Sequence, residues 1–63
     1  MKDQEKQMLS RALSLYLESI WNESDKLESG SKRYEEILDE SNLIKLFVRN
    51  NNIVLPDNIA ARF

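Results

Sequence analysis

The residues whose types and spacing come nearest to chemistry are two carboxylate pairs, Glu35/Glu36 and Asp39/Glu40, and three serines, Ser14, Ser19 and Ser24. General acid–base catalysis needs a carboxylate in a shielded pocket with a shifted pKa. Adjacent acids on the polar side of a helix serve solubility instead. Glu36, Asp39 and Glu40 do not follow the spacing of a calcium loop. The serines have no histidine anywhere in the chain, and no evident lysine, to act as a base. A single glycine rules out a glycine-rich phosphate loop. Histidine and cysteine are both absent. Their absence removes disulfides, thiolate zinc sites, Cys–His nucleophile pairs and the usual pH switch. The expectation is a protein that is not an enzyme and holds no cofactor or metal.

What the chain has in excess is apolar surface. Leu9, Leu13, Tyr16, Ile20 and Leu27 follow one helical stripe, with Ala12 and Leu17 beside it, at about 100° per residue. Met8 and Leu15 point to the far side of the same helix. No single hairpin core reaches both sides. Trp21 lies at the edge of the stripe. It suits a core-edge cover, or a contact anchor of the kind that dominates interfaces. Further on, Leu43, Ile44, Leu46, Phe47 and Val48 fall almost together, which makes a helix apolar nearly all round. Such a helix needs cover on several sides. A chain of 63 residues offers little. A domain near 60 residues buries only about 60% of its unfolded surface. Small scaffolds compensate with disulfides, metals or self-association, and self-association is the device most open to this chain.

The elements that position these residues are two helices and a tail. The first helix should run from about residue 3 to 27, with no Gly or Pro to interrupt it. Asp3 suits its N-cap, Asp3 and Glu5 its positive dipole end, and Lys26 its last turn. Residues 28–32 form the break. Gly30, just past the stripe, suits a left-handed C-cap, and Ser31 can cap the next helix. Tyr34 stands where a capping box would place an acid, so the box is absent. The second helix spans about 32–49, with Tyr34, Ile37, Leu38, Ser41, Ile44 and Val48 on one face. A break near Ser41 is the alternative, but no Gly or Pro forces it. A short connection makes the two helices antiparallel neighbours. Asn50–Asn52 ends the helical region. Residues 50–63 form an apolar tail. Ile53–Leu55 is extended, since Pro56 pushes its predecessor out of the helical region, and one short helical turn can follow. Ile53, Leu55, Ile59 and Phe63 are expected to pack on the block Leu43–Val48, from the same chain or a twin.

The net charge of −2 is unevenly placed. Residues 18–40 carry −5, residues 1–17 carry +1 and residues 41–63 carry +2. A charge run of this kind usually marks a solvated face, and the sharper reading is an acidic patch for a basic partner. DNA readers usually show clustered Lys and Arg and a pI above ~9. The pI here is about 5.0. Direct nucleic-acid binding would require a dimer to gather Lys45, Arg49 and Arg62 on one face. No stretch approaches the ~20 apolar residues of a membrane span, and the N-terminal residues lack the apolar core of a signal peptide. A cytoplasmic location is expected.

Together these features predict an all-α fold, an antiparallel helical hairpin with an apolar C-terminal tail in one small domain, forming a dimeric helical bundle. The expected function is a non-enzymatic protein–protein interaction module: a regulator, inhibitor or adaptor that occupies a partner's surface. The alternatives are a small dimeric DNA-binding regulator and a structural subunit of a larger assembly. The expected interface, with a partner or with a second copy, comprises Met8, Leu15, Trp21, Leu43, Leu46, Phe47, Ile53, Leu55, Ile59 and Phe63.

Overall fold

The computed structural model describes all 63 residues. Three helices follow in order: α1 (Asp3–Ser24), α2 (Lys32–Asn50) and α3 (Asp57–Ala60). The long pair is antiparallel. Near the connection Glu23 meets Arg33, and Tyr16, two turns back along α1, meets Glu40, two turns forward along α2. No strand is present, and no helix is long and apolar enough to cross a membrane.

α1 begins at residue 3 as expected, but its N-cap falls one residue earlier than Asp3. Lys2 occupies the N-cap in an extended conformation with no side-chain bond, and Asp3 is the first helical residue. The carboxylates of Asp3 and Glu5 still lie in the first turn, where the helix dipole favours them. The helix also stops at Ser24, short of the expected residue 27. Ser24 Oγ donates to the Trp21 carbonyl at 2.8 Å, a local bond that competes with the helical ladder. Lys26 N–H then bonds Glu23 O and Leu27 N–H bonds Ser24 O, so the chain leaves in tighter turns. Leu27 sits in the loop, partly buried against the core.

Gly30 does not cap α1. It stands six residues beyond the helix, in a turn closed by Ser31 N–H on Glu28 O at 3.1 Å. Its φ of +89° is the left-handed value a type II turn requires at that place. Ser31 follows as the N-cap of α2 and accepts a bond from the Tyr34 N–H at 3.2 Å. From there α2 continues without a break through Ser41 to Asn50.

The end of α2 uses its asparagines individually. Asn51 is the C-cap, and its side-chain Nδ2 donates to Phe47 O at 2.9 Å. Asn52 takes a left-handed φ of 54°. Asn52 N–H bonds Arg49 O, and Ile53 N–H bonds Val48 O at 3.0 Å. This paired pattern is a Schellman motif, with Asn where Gly is commonest, and Ile53 and Val48 both join the core beside it. The motif turns the chain back. Residues 53–56 run extended, and Pro56 O accepts from the N–H groups of Ile59 and Ala60 to open α3.

The core is small: Leu17, Ile20, Trp21, Ile37, Ile53, Leu55 and Ile59. Leu9, Ile44, Val48 and Phe63 pack partly buried around it. The tail therefore belongs to its own chain's core. It lies against α1 as well as beside Ile44 and Val48, because α3 packs on α1 and makes no contact with α2. Leu43, Leu46 and Phe47 take no part.

Two expectations follow. At Gly30 an added Cβ meets no atom within 4 Å, so Gly30→Ala costs backbone strain alone. A urea melt should show a loss of about 1 kcal/mol; unchanged stability would mean that the loop relaxes to another turn. Ile53, Leu55 and Ile59 each contribute roughly 1.5–3 kcal/mol on burial, against a total stability near ~5 kcal/mol for a small domain. Deletion of residues 53–63 should abolish the cooperative thermal transition seen by circular dichroism. A shortened chain that melts like the parent would refute this role for the tail.

Candidate interaction surface

Trp21 is the meeting point of the three segments. Its indole Nε1 donates to Ser41 Oγ on α2 at 3.1 Å. The Phe63 ring meets it edge-on, with centroids 5.4 Å apart and planes at 77°. The Arg62 guanidinium lies 4.7 Å from the ring centroid, and its Nη2 is 3.7 Å from Asp25 Oδ1. Trp21 is thus a core residue, not an exposed contact anchor. Apolar contact, a cation over the ring and a satisfied N–H all favour burial there. The same contacts commit Arg62 to the tail's docking, apart from Lys45 and Arg49.

The tail also explains why the buried face of α1 differs from the expected stripe. With α2 on one flank and the tail on the other, the buried face centres on Leu17, which is fully buried. Trp21 and Ser14 rotate inward, and Tyr16 rotates out. Ser14 is tolerated because its hydroxyl donates to Ser10 O at 2.6 Å. Ser10 Oγ in turn donates to Val54 O at 2.7 Å, and Asn58 Nδ2 donates to Glu18 at 3.5 Å. These bonds fix the tail along α1.

On the other flank Tyr16 takes a polar role. Its hydroxyl donates to Glu40 Oε1 at 2.8 Å. Arg33 is the hub beside it. Arg33 donates through Nε and Nη2 to both carboxylate oxygens of Glu23, at 2.6 and 3.1 Å. Its Nη1 lies 4.0 Å from Glu36 and 3.9 Å from Glu40 Oε2. Glu40 Oε2 is a buried atom with no hydrogen bond, held by that charge alone. The bond to Arg33 holds the Glu23 carboxyl below its usual range, and the bond to Glu23 holds the guanidinium above its own. Chiefly through its hydrogen bond to Glu40, Tyr16 titrates above its usual value of 10.0. The carboxylate pairs are therefore taken up in ion pairs or point to solvent, and no three acids converge on a single point.

The ten expected interface residues separate into two sets. Ile53, Leu55, Ile59 and Trp21 are buried in the protomer, and Phe63 is half-buried against Trp21. None of the buried four is open to a partner, and the reason is the same for all: the tail completes the core of its own chain. The second set is exposed in two groups. Met8 (73%) and Leu15 (64%) stand on the outer side of α1. Leu43 (67%), Leu46 (52%) and Phe47 (41%) stand on α2, away from the face formed by Ile37, Ser41, Ile44 and Val48. Sequence reasoning did not single out Arg33 or the Tyr16–Glu40 bond. Only the i,i+3 spacing of Arg33 and Glu36 hinted at them, since the other partners lie across the hairpin. No family model, curated protein or solved structure matches the chain.

A raised folded-state pKa means that the Tyr16 contribution is complete below the unfolded value and fades as pH rises through the folded one. In a Tyr34→Phe background, phenolate absorbance should titrate above 10.0, and Glu40→Gln should bring it back toward that value. Superimposable titration curves would exclude the bond. Acid has the opposite effect at Glu23. Its contribution is present above the unfolded carboxylate value and fades as pH falls through the lowered one, and because the pair is exposed it is small.

Proposed function

We propose that this chain is a small non-enzymatic protein–protein interaction module, a regulator, inhibitor or adaptor that occupies a partner's surface. We further propose that it works in the cytoplasm as a dimeric helical bundle. One observation carries the reading: large apolar side chains remain exposed in groups after the tail has filled the core. Isolated exposed apolar residues are ordinary, whereas grouped ones mark interaction sites. Leu43, Leu46 and Phe47 are neighbours at i,i+3 and i,i+4, and Met8 and Leu15 lie two turns apart on one side of α1. Glu23, Glu36 and Glu40 are engaged with Arg33, and Glu40 also with Tyr16.

The test is affinity capture from the native host with the parent chain and with Met8→Glu/Leu15→Glu. The substitutions sit on exposed positions, so the fold is expected to persist by circular dichroism. A partner bound in fixed stoichiometry to the parent should be lost at least about 100-fold from the variant, as for residues at the centre of an interface. Equal retention by both would overturn the assignment of Met8 and Leu15.

A further inference from the structure

We infer that the outer side of α1 is covered by α1 of a second copy, lying antiparallel, with Leu15 seated on the partner's Ala12. The inference rests on the interaction-module reading and names the occupant of its α1 group. A second copy is selected because this side of α1 is its own complement when the helix is reversed, in side-chain size and in charge.

Glu5, Met8, Ala12, Leu15, Ser19 and Asn22 succeed one another at alternating intervals of three and four residues, the heptad spacing of a helix seam. All six are exposed, and only Glu5 is charged. The protomer's own elements stop at the two flanks of this stripe. α2 reaches α1 at Tyr16 and Glu23, and the tail reaches it at Ser10 and Glu18. Along the stripe large and small side chains alternate: Met8 and Leu15 are large, Ala12 and Ser19 small. Ala12 lies in a shallow hollow whose other walls are Gln4, Gln7, Met8, Arg11 and Leu15.

Size fixes the register. In an antiparallel seam, Leu15 on the partner's Ala12 sets Met8 on the partner's Ser19 and Glu5 beside the partner's Asn22. Each apolar layer then joins a large side chain to a small one, and Leu15 fills the hollow at Ala12. The same stripe laid parallel stacks Leu15 on Leu15 and Glu5 on Glu5, and leaves Ala12 facing Ala12.

Charge fixes the direction. Arg11 and Glu18 stand one heptad apart on the same flank of the stripe. Inside the protomer Arg11 pairs with no acid and Glu18 with no base. In the antiparallel register each Arg11 comes opposite the partner's Glu18, twice by symmetry, and the helix dipoles oppose favourably. On the other flank the partner's Glu23 comes level with Lys2 and Glu5, whose charges offset. Laid parallel, Glu18 meets the partner's Glu23, like on like. A two-fold axis generates the reversed pair, so the contact closes at two copies.

Sedimentation equilibrium of the full chain over micromolar concentrations is the test. The parent should fit a monomer–dimer equilibrium. Leu15→Glu should raise the dissociation constant at least about 100-fold with unchanged helicity, because the position is exposed in the protomer. Ala12→Leu should weaken the dimer too, since it fills the hollow that receives the partner's Leu15. Arg11→Glu and Glu18→Lys should each weaken it about tenfold, and Arg11→Glu/Glu18→Lys should restore it, because both cross-pairs are then opposite again. A parent that stays monomeric throughout overturns the inference and leaves the module reading, which capture tests separately. A dimer dissolved by Leu43→Glu/Phe47→Glu but not by Leu15→Glu overturns it by placing the contact on α2. A dimer tightened by Glu18→Lys alone overturns the antiparallel direction.

Discussion

The structure depends on one reversal of the chain, at Asn52. Seven buried apolar side chains form the core, and three of them, Ile53, Leu55 and Ile59, lie beyond that turn. The turn is held by backbone bonds from Asn52 to Arg49 and from Ile53 to Val48, and by the Asn51 side chain on Phe47 O. A two-helix hairpin of this length would leave the second flank of α1 open to water. Returning the tail at Asn52 closes that flank with residues that would otherwise add to the exposed apolar surface.

The closure has consequences on both long helices. On α1 it draws Trp21 into the core, where Ser41 satisfies the indole and Phe63 and Arg62 cover the ring. With the buried face centred on Leu17, Tyr16 turns outward and Met8 and Leu15 face solvent. On α2 nothing equivalent happens. α3 does not reach it, and a single core stripe uses Ile37, Ile44 and Val48 while Leu43, Leu46 and Phe47 remain outside. The exposed groups are what is left when one short tail covers the second flank of α1 and meets α2 only on its core-facing side.

The charged residues set arrangement more than stability. Arg33 joins Glu23 of α1 to Glu36 and Glu40 of α2, and all four side chains are partly open to water. Exposed pairs contribute little, because water screens the charges and holding two long side chains in place costs entropy. Their value lies in register: the fork of Arg33 on Glu23 and the bond of Tyr16 to Glu40 fit only one alignment of the hairpin. Lys45 and Arg49, at the other end of α2, form no ion pair inside the protomer.

Local signals determined much of this architecture. Uninterrupted helical periodicity marked both long helices. Ser31 was legible as a cap because its hydroxyl needs only the N–H three residues on, and Pro56 opened the last turn through its own fixed φ. The absence of histidine and cysteine and the single glycine narrowed the chemistry before any coordinate was known. Those features act within a few residues, so sequence carries them whole. Tertiary structure decided the rest. Which side of α1 is buried depended on a tail more than 30 residues away, so Trp21 and the tail residues moved from the expected interface into the core. Gly30 had its left-handed φ, but in the turn before α2 and not at the end of α1, which closes at Ser24. Arg33 became a hub only once the hairpin brought Glu23 alongside it. Periodicity reports that a helix has an apolar side. Which of two such sides meets the core is settled by what else the chain can bring against it.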